Sequence, residues 1–465
     1  MDSSRFNPQL SSWLHIDLNS CFATIEQQAN THLRGKPIAI CAYTTPRGCI
    51  LAPSVEAKRF GVKTGMQVRE GKLLCPSLII LPSDPPKYRF VNRALLKLLN
   101  EYTPQVSVRS IDEMILNFNH LFPYPTLKRI TGDASEGSPR RAALSEREGD
   151  NGSPRGWQAE TSVEAMTPPR WMNLTDIARE IKLRIKSEIG EWLTVSIGIS
   201  TNPYLAKLAA GLHKPDGLDE INQHNILSIL SGMELTDLSY IKERNAARLN
   251  RVGIKTPVDF YLATEQQLRA AFESINGHYW YLRLHGYAID EVEWQRKSIG
   301  HQYALPQRTS KKEEVEQLLC KLVEKVGRRL RNNHLTAQGI HLGIGYDEEY
   351  WHKGHKFGEK MYTNSELFRA AKQLLIEALP LKPVRSLAVT CFALTENLYT
   401  QTTLFTDELK KRSLTRALDR INNKWGEFAI FPGAMLTIQR QGKILDRIAF
   451  GRVMDMEDVV LEKPK

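Results

Sequence analysis

The sequence predicts an α+β protein of several domains, and three observations lead there. Its 465 residues exceed an ordinary single domain and suggest three or four. Apolar spacing changes character along the chain: strand and helix patterns alternate to about residue 217, helical patterns dominate 218–290, and strand–helix alternation returns over 299–455. Residues 131–170 interrupt the first region; they are rich in Gly, Ser, Pro, Glu and Arg, and Leu144 and Val163 are their only Leu, Ile, Val or Phe. Such a stretch cannot bury enough apolar surface to offset its ordering entropy, so it is expected to be a disordered insertion.

Taken in order, residues 12–28 read as a strand running into a helix start, and Pro37 to Tyr43 as a buried strand of Ile, Ala and Cys. Val55–Phe60 and Leu73–Leu81 give a short helical and extended alternation bounded by Gly and Pro. After Pro82-Ser83-Asp84-Pro85-Pro86, residues 87–102 carry Val91, Leu95, Leu98 and Leu99 at helical spacing. Met114, Leu116 and Phe118 then alternate as a half-buried strand does. Beyond the insertion, Trp171–Glu188 is expected to be a helix on Ile177, Ile181 and Ile185, followed by a strand over Trp192–Ile199. In the last region Val315, Leu318, Leu319, Leu322, Val326 and Leu330 mark an amphipathic helix. Ile340, Leu342 and Ile344 alternate in a strand, and a helix near 365–379 and a strand at Leu387–Phe392 repeat the pattern.

Composition narrows the function classes. No apolar run reaches the roughly 18 residues that cross a bilayer, and the N-terminus has no apolar signal region, so a membrane role is not expected. Cys21, Cys41, Cys49, Cys75, Cys320 and Cys391 are scattered without a C-x-x-C pair, which indicates neither structural zinc nor a disulfide framework and points to a reducing cytoplasm. The net charge of +11 and pI near 9.2 favour a polyanionic partner. Most of that excess lies in residues 301–450, with 24 Lys+Arg against 16 Asp+Glu.

Carboxylates stand where apolar strands should end. Trp13–Leu18 contains Asp17, and Val106-Ser107-Val108 leads into Asp112-Glu113. Charges left at the ends of buried strands cost several kcal/mol unless a cation or partner neutralises them. Three converging carboxylates suit a pair of divalent ions, which at about 3.5–4 Å separation activate an attacking oxygen and steady a leaving group. Spacing alone leaves a second reading open, in which Asp17 caps the following helix and Asp112-Glu113 turns a hairpin.

Five blocks around these residues occur in one order. They are Asp17-Leu18-Asn19-Ser20-Cys21-Phe22-Ala23-Thr24-Ile25-Glu26; Gly35-Lys36-Pro37-Ile38-Ala39-Ile40; Glu56-Ala57-Lys58-Arg59-Phe60-Gly61-Val62-Lys63-Thr64-Gly65-Met66; Ser110-Ile111-Asp112-Glu113; and Ser196 to Lys207, closed by Lys214-Pro215-Asp216-Gly217. In order and separation these blocks resemble the Y-family of translesion DNA polymerases, clearly over residues 12–217 and more weakly to about 455. The resemblance implies a right-hand polymerase: a palm from 12–28 and 86–217, small fingers from 29–85, a helical thumb from 218–292, an α+β little finger from 299–455 and a flexible tail from 456–465. Leu238–Ile254 in the thumb looks like a helix-hairpin-helix, although Ile241-Lys242-Glu243 stands where a Gly-x-Gly turn would grip phosphate.

The resemblance further implies that Asp17, Asp112 and Glu113 are catalytic and, with the backbone carbonyl of Leu18, hold two Mg²⁺ or Mn²⁺. Phe22 falls at the steric gate that excludes a 2′-hydroxyl. Lys58, Asn202 and Lys207 would contact the triphosphate. Here the chain departs from the family, whose Tyr and Arg in the fingers align with Val55 and Lys58 and whose palm lysine aligns with Pro203. Lysine lacks the bidentate fork that arginine offers phosphate, so weaker nucleotide binding is expected. Gln401-Thr402-Thr403-Leu404-Phe405 resembles the bacterial sliding-clamp peptide, with Gln401, Leu404 and Phe405 as its contacts. The implied partners are primer-template DNA, dNTP and a bacterial sliding clamp, for a monomer in the cytoplasm at the nucleoid.

The resulting expectation is a template-directed translesion polymerase. A non-catalytic DNA- and clamp-binding adaptor is the alternative, favoured by the altered triphosphate contacts and opposed by the three retained acids. A metal-dependent nuclease accounts for the acids but not for Phe22 or the clamp-like peptide. The polymerase expectation requires Asp17, Asp112 and Glu113 to meet in one pocket without neutralisation by resident Lys or Arg.

Overall fold

A computed structural model describes residues 5–119, 173–289, 296–396 and 408–440. The expected insertion 131–170, the clamp-like residues Gln401, Leu404 and Phe405, and the tail 456–465 lie outside the described residues. The described strands are β1 (Trp13–Leu18), β2 (Ile38–Cys41), β3 (Ile50–Pro53), β4 (Ile79–Pro82), β5 (Val106–Val108), β6 (Glu113–Asn117), β7 (Val195–Ser200), β8 (Leu218–Ile221), β9 (Ser298–Thr309), β10 (Leu335–Gly345), β11 (Tyr350–Met361) and β12 (Val384–Glu396). The chain divides into two compact units, Met1–Asn19 with Ala94–Ile289, and Ser20–Arg93 with Asp290–Lys465.

The first unit is built on a five-stranded sheet in the order β5-β6-β1-β7-β8, antiparallel except for the parallel pair β7–β8. Period-two alternation buries Leu14 and Ile16 of β1 and Met114 and Leu116 of β6. On the other face the helix Pro203–Leu212 lies directly on the sheet at Gly198, where an added Cβ would sit 2.0 Å from the Ala206 carbonyl oxygen. Only glycine admits that approach. Helices from Ile226 to Leu284 close a second core around Leu238, Ile241, Leu249, Phe260 and Trp280. Leu238–Ile254 departs from the expected helix-hairpin-helix: it holds one helix, Glu243–Arg251, behind a 3₁₀ turn at Leu235–Asp237 and a left-handed Tyr240. Leu238 and Ile241 are buried, so the segment packs its apolar residues inward, in keeping with the absence of a Gly-x-Gly turn to grip phosphate.

In the second unit β3-β2-β4 form a small sheet whose core includes Cys41, Ile50, Val62, Val68 and Leu78. Part of the expected extended run from Leu73 is helical, because Val68–Leu74 is started by a capping box at Gln67 and Glu70, and β4 begins only at Ile79. The remaining sheet is antiparallel, β11-β10-β12-β9. The helices Lys312–Asn332 and Asn364–Glu377 cover its apolar face, burying Leu319, Val326 and Leu375 with Ile340, Leu342 and Ile344. A further helix, Glu408–Trp425, is fastened to this body by Arg331, whose guanidinium donates to both carboxylate oxygens of Asp419. All six cysteines are free. No helix of the described residues is long and apolar enough to cross a membrane.

Candidate active site

The acids converge because two strands pair in one register. β1 and β6 run antiparallel with Asp17 opposite Glu113, and the Leu18 amide donates to the Asp112 carbonyl at 2.9 Å. Side chains directly opposite one another project from the same face of a sheet. The turn before β6 is shaped by Ser110, whose Oγ accepts from the Glu113 amide at 3.1 Å and donates to the Asp112 carboxylate. The hydroxyl therefore orients one acid while holding the backbone of the next. Asp17 is not a helix cap: Ser20 is the N-cap of the helix Cys21–Ala29 and makes no side-chain cap bond. The cap half of the alternative fails, while its hairpin half holds: Asp112 lies in the turn of the antiparallel β5–β6 hairpin and Glu113 opens β6.

His15 joins the group. It lies two residues before Asp17, on the same face, and ligand atoms of His15, Asp17 and Glu113 fall within 4.8 Å of one another. The ring is buried, with Nε2 3.9 Å from Glu113 Oε2 and neither nitrogen hydrogen-bonded. Burial, reinforced by Lys207, Lys214 and Arg109, pushes its pKa down to about 3, so it is neutral. Sequence reasoning passed over His15, although its period-two relation to Asp17 was legible.

Two lysines meet the carboxylates. Lys207, from the helix Pro203–Leu212, places Nζ 2.5 Å from both Glu113 oxygens. Lys214 Nζ lies 2.6 Å from Asp17 Oδ2. The loop carrying Lys214 is tied to the sheet: the Asp216 amide donates to Asn19 Oδ1 at 2.8 Å, and the Gly217 amide to Ser196 Oγ at 3.3 Å. Lys182 and Lys186 flank the Asp216 carboxylate at 3.0 and 3.1 Å. The condition that no resident Lys or Arg neutralise these acids is therefore not met, and it was too strict, since acids held together without metal need a counter-charge that bound metal can later replace. Burying like charges together requires counter-charge, and burial, followed by Asp112 and Glu113, holds the Asp17 carboxyl above its ordinary value against the opposing pull of Lys214. Both lysines are long and partly exposed, 26% for Lys207 and 41% for Lys214, so they neutralise the group without sealing it.

The donor set fits the implied metals. Asp17 and Glu113 offer, beside His15, hard oxygens of the kind Mg²⁺ and Mn²⁺ prefer, Asp112 stands next to them on the Ser110 hydroxyl, and the approaching ammonium groups mark where positive charge is drawn. Asn202 does not face a ligand: its Oδ1 accepts from the Leu205 amide at 2.7 Å as helix N-cap, and its Nδ2 donates to the carbonyls of Arg283 and Tyr287 at 2.8 and 3.1 Å. It is 1% exposed, and a triphosphate role is withdrawn. In the second unit, Phe22 is buried and stacks on Tyr88 with centroids 4.6 Å apart, while the Tyr88 hydroxyl donates to Glu26 at 3.0 Å. Lys58 is exposed in the last turn of the helix Val55–Arg59, which Ser54 caps through the Ala57 amide at 3.2 Å.

Residues 16–211 match the profile of the impB/mucB/samB family and residues 296–404 that of its C-terminal domain, together more than half of the chain. The chain is 29% identical over 431 residues to DNA polymerase IV of Pelotomaculum thermopropionicum, covering 91% of this chain and 95% of that protein. It is 27% identical over 434 residues to DNA polymerase IV 1 of Bacillus subtilis, covering 91% and 92%. A solved Y-family DNA polymerase chimera shares the fold, with a TM-score of 0.60 at 23% identity over 83% of this chain and 99% of that one. The profile matches, which together cover more than half of its residues, place this chain in the impB/mucB/samB family.

Proposed function

We infer that this protein is a template-directed translesion DNA polymerase, which joins dNTPs to a primer 3′-hydroxyl opposite damaged template. The observation that carries this reading is the meeting of Asp17, Asp112 and Glu113 at one end of the five-stranded sheet, in a chain whose relatives are DNA polymerases IV. An adaptor has no use for like charges held together, and the retained acids speak against it.

In this reading Asp17, Asp112 and Glu113, with the Leu18 carbonyl, hold two Mg²⁺ or Mn²⁺. When bound, such ions activate the attacking oxygen and neutralise charge on the leaving pyrophosphate. The chain supplies position: the β1–β6 register fixes Asp17 against Glu113, and Ser110 fixes Asp112. Lys58 and Lys207 supply positive charge to the triphosphate. Phe22, held by Tyr88, is the steric gate. Gln401, Leu404 and Phe405 dock on a bacterial sliding clamp, and the enzyme works as a monomer in the cytoplasm at the nucleoid.

Primer extension on an abasic template, comparing wild type with Asp112→Ala/Glu113→Ala, tests the central reading. Loss of extension with primer-template binding intact is expected. A wild type that binds primer-template yet extends nothing with either Mg²⁺ or Mn²⁺ would restore the adaptor. Leu404→Ala/Phe405→Ala is expected to abolish clamp binding while sparing clamp-free extension.

A further inference from the structure

We propose that His341 and His352 form a chelating site for a first-row transition-metal ion (Zn²⁺, Ni²⁺ or Cu²⁺) on the face of the β11-β10-β12-β9 sheet turned away from its helices. The site is separate from the acidic group and does not rest on the polymerase reading.

Strand register brings the two imidazoles together. His341 of β10 stands opposite Gly354 of β11, and His352 stands opposite Gly343, so the two are diagonal neighbours across one antiparallel pair. Ile340, Leu342 and Ile344 turn toward the helices, and alternation sends His341 to the other face. The glycines leave room for the rings. A Cβ at Gly354 would stand 3.3 Å from the His341 ring, and the Tyr350 hydroxyl takes the place of one at Gly343. Tyr350 backs the His352 ring with centroids 5.7 Å apart, and the two imidazole centroids are 5.3 Å apart. His341 Nε2 and His352 Nδ1 thereby face each other at 3.3 Å. Zinc–nitrogen bonds of about 2.0–2.1 Å at tetrahedral angles need ligand nitrogens roughly 3.3–3.4 Å apart. The pair holds that spacing before any ion arrives. Burial, then His352, keeps His341 below its ordinary pKa, so this ring is neutral near pH 7. Without metal, one facing N–H donates to the other ring's nitrogen. With metal, that proton moves to the donor ring's remaining nitrogen, and both facing nitrogens present lone pairs. An imidazole pair selects Zn²⁺, Ni²⁺ or Cu²⁺ over Mg²⁺, and water reaches the remaining positions because His352 is exposed.

Diethyl pyrocarbonate labelling of the full-length protein, read residue by residue by mass spectrometry, tests this site apart from any other the chain holds. Zn²⁺ or Ni²⁺ should slow modification of His352 several-fold, and Mg²⁺ should not. His355, which stands opposite Ile340, should label alike with each ion. In His341→Gln the protection of His352 should vanish. Zinc bound per protein should fall by about one equivalent in His341→Gln and in His352→Gln, with metal-free melting unaltered. Unchanged His352 labelling on Zn²⁺ addition, or full protection retained in folded His341→Gln, overturns the proposal.

Discussion

The five-stranded and four-stranded sheets both bury an apolar face under helices, yet they place charge in opposite ways. In the first, Asp17 and Glu113 are register partners at the sheet end, beside a buried neutral His15. In the second, charge runs along the edge strand β11, where His352, Lys353, His355, Lys356 and Lys360 are exposed. Solvent screens the edge-strand charges at almost no cost, and Lys on an edge also discourages unwanted strand pairing. The sheet-end acids raise the energy of the fold until a cation offsets them, so the family's chemistry sits where the sheet is electrostatically strained.

Four experiments break or sharpen that contrast. The largest effect is expected from Asp17→Asn, with extension falling about 10³-fold or more. Because burial and the neighbouring acids outweigh Lys214 in raising the Asp17 pKa, the same variant should melt no lower than wild type when metal-free. A collapse of stability along with activity would show that the acids hold the fold together.

A second effect, on the order of 4 kcal/mol in total, should appear in the pH dependence of metal-free stability. His15 is about 6.5 unfolded and about 3 folded, so below pH 6.5 the unfolded chain takes up a proton that the folded chain refuses. Stability present above pH 6.5 is lost progressively as pH falls toward 3, and His15→Gln should flatten that slope. Denaturant melts across this range decide it; parallel curves for both proteins would assign the acid sensitivity elsewhere.

Gly198→Ala comes next, since its methyl group meets backbone at 2.0 Å, and we expect a loss of about 3 kcal/mol or more. Gly358→Ala on β11 meets nothing within 4 Å and should stay within about 0.5 kcal/mol. Equal melting temperatures for the two variants would contradict the close helix–sheet approach. Smallest in stability terms, Lys356→Ala and Lys360→Ala should leave melting unchanged and lower the slope of log affinity for duplex DNA against log salt by about 0.9 for each phosphate no longer neutralised. An unaltered slope would show that these two lysines neutralise no phosphate.

Much of this was written locally. The apolar run Trp13–Leu18 and the alternating Met114, Leu116 and Phe118 announced β1 and β6. Asn202 was misread as a ligand contact, and only its bonds to Arg283 and Tyr287 show its amide to be engaged within the fold. In the thumb, the missing Gly-x-Gly turn was legible in the sequence, and Leu238 and Ile241, which follow the 3₁₀ turn, pack on the core.

By itself the sequence determined which residues could do chemistry, on which kind of element each sits, and in what order they come, since side-chain type and a period of 2 or 3.6 are properties of neighbouring residues. Tertiary structure decided that Asp17 faces Glu113, that His15 is buried beside them, and that Lys207 and Lys214 answer their charge. Those outcomes depend on strand register and on elements far apart along the chain. They are fixed only when the two apolar faces pack and the buried charges find partners.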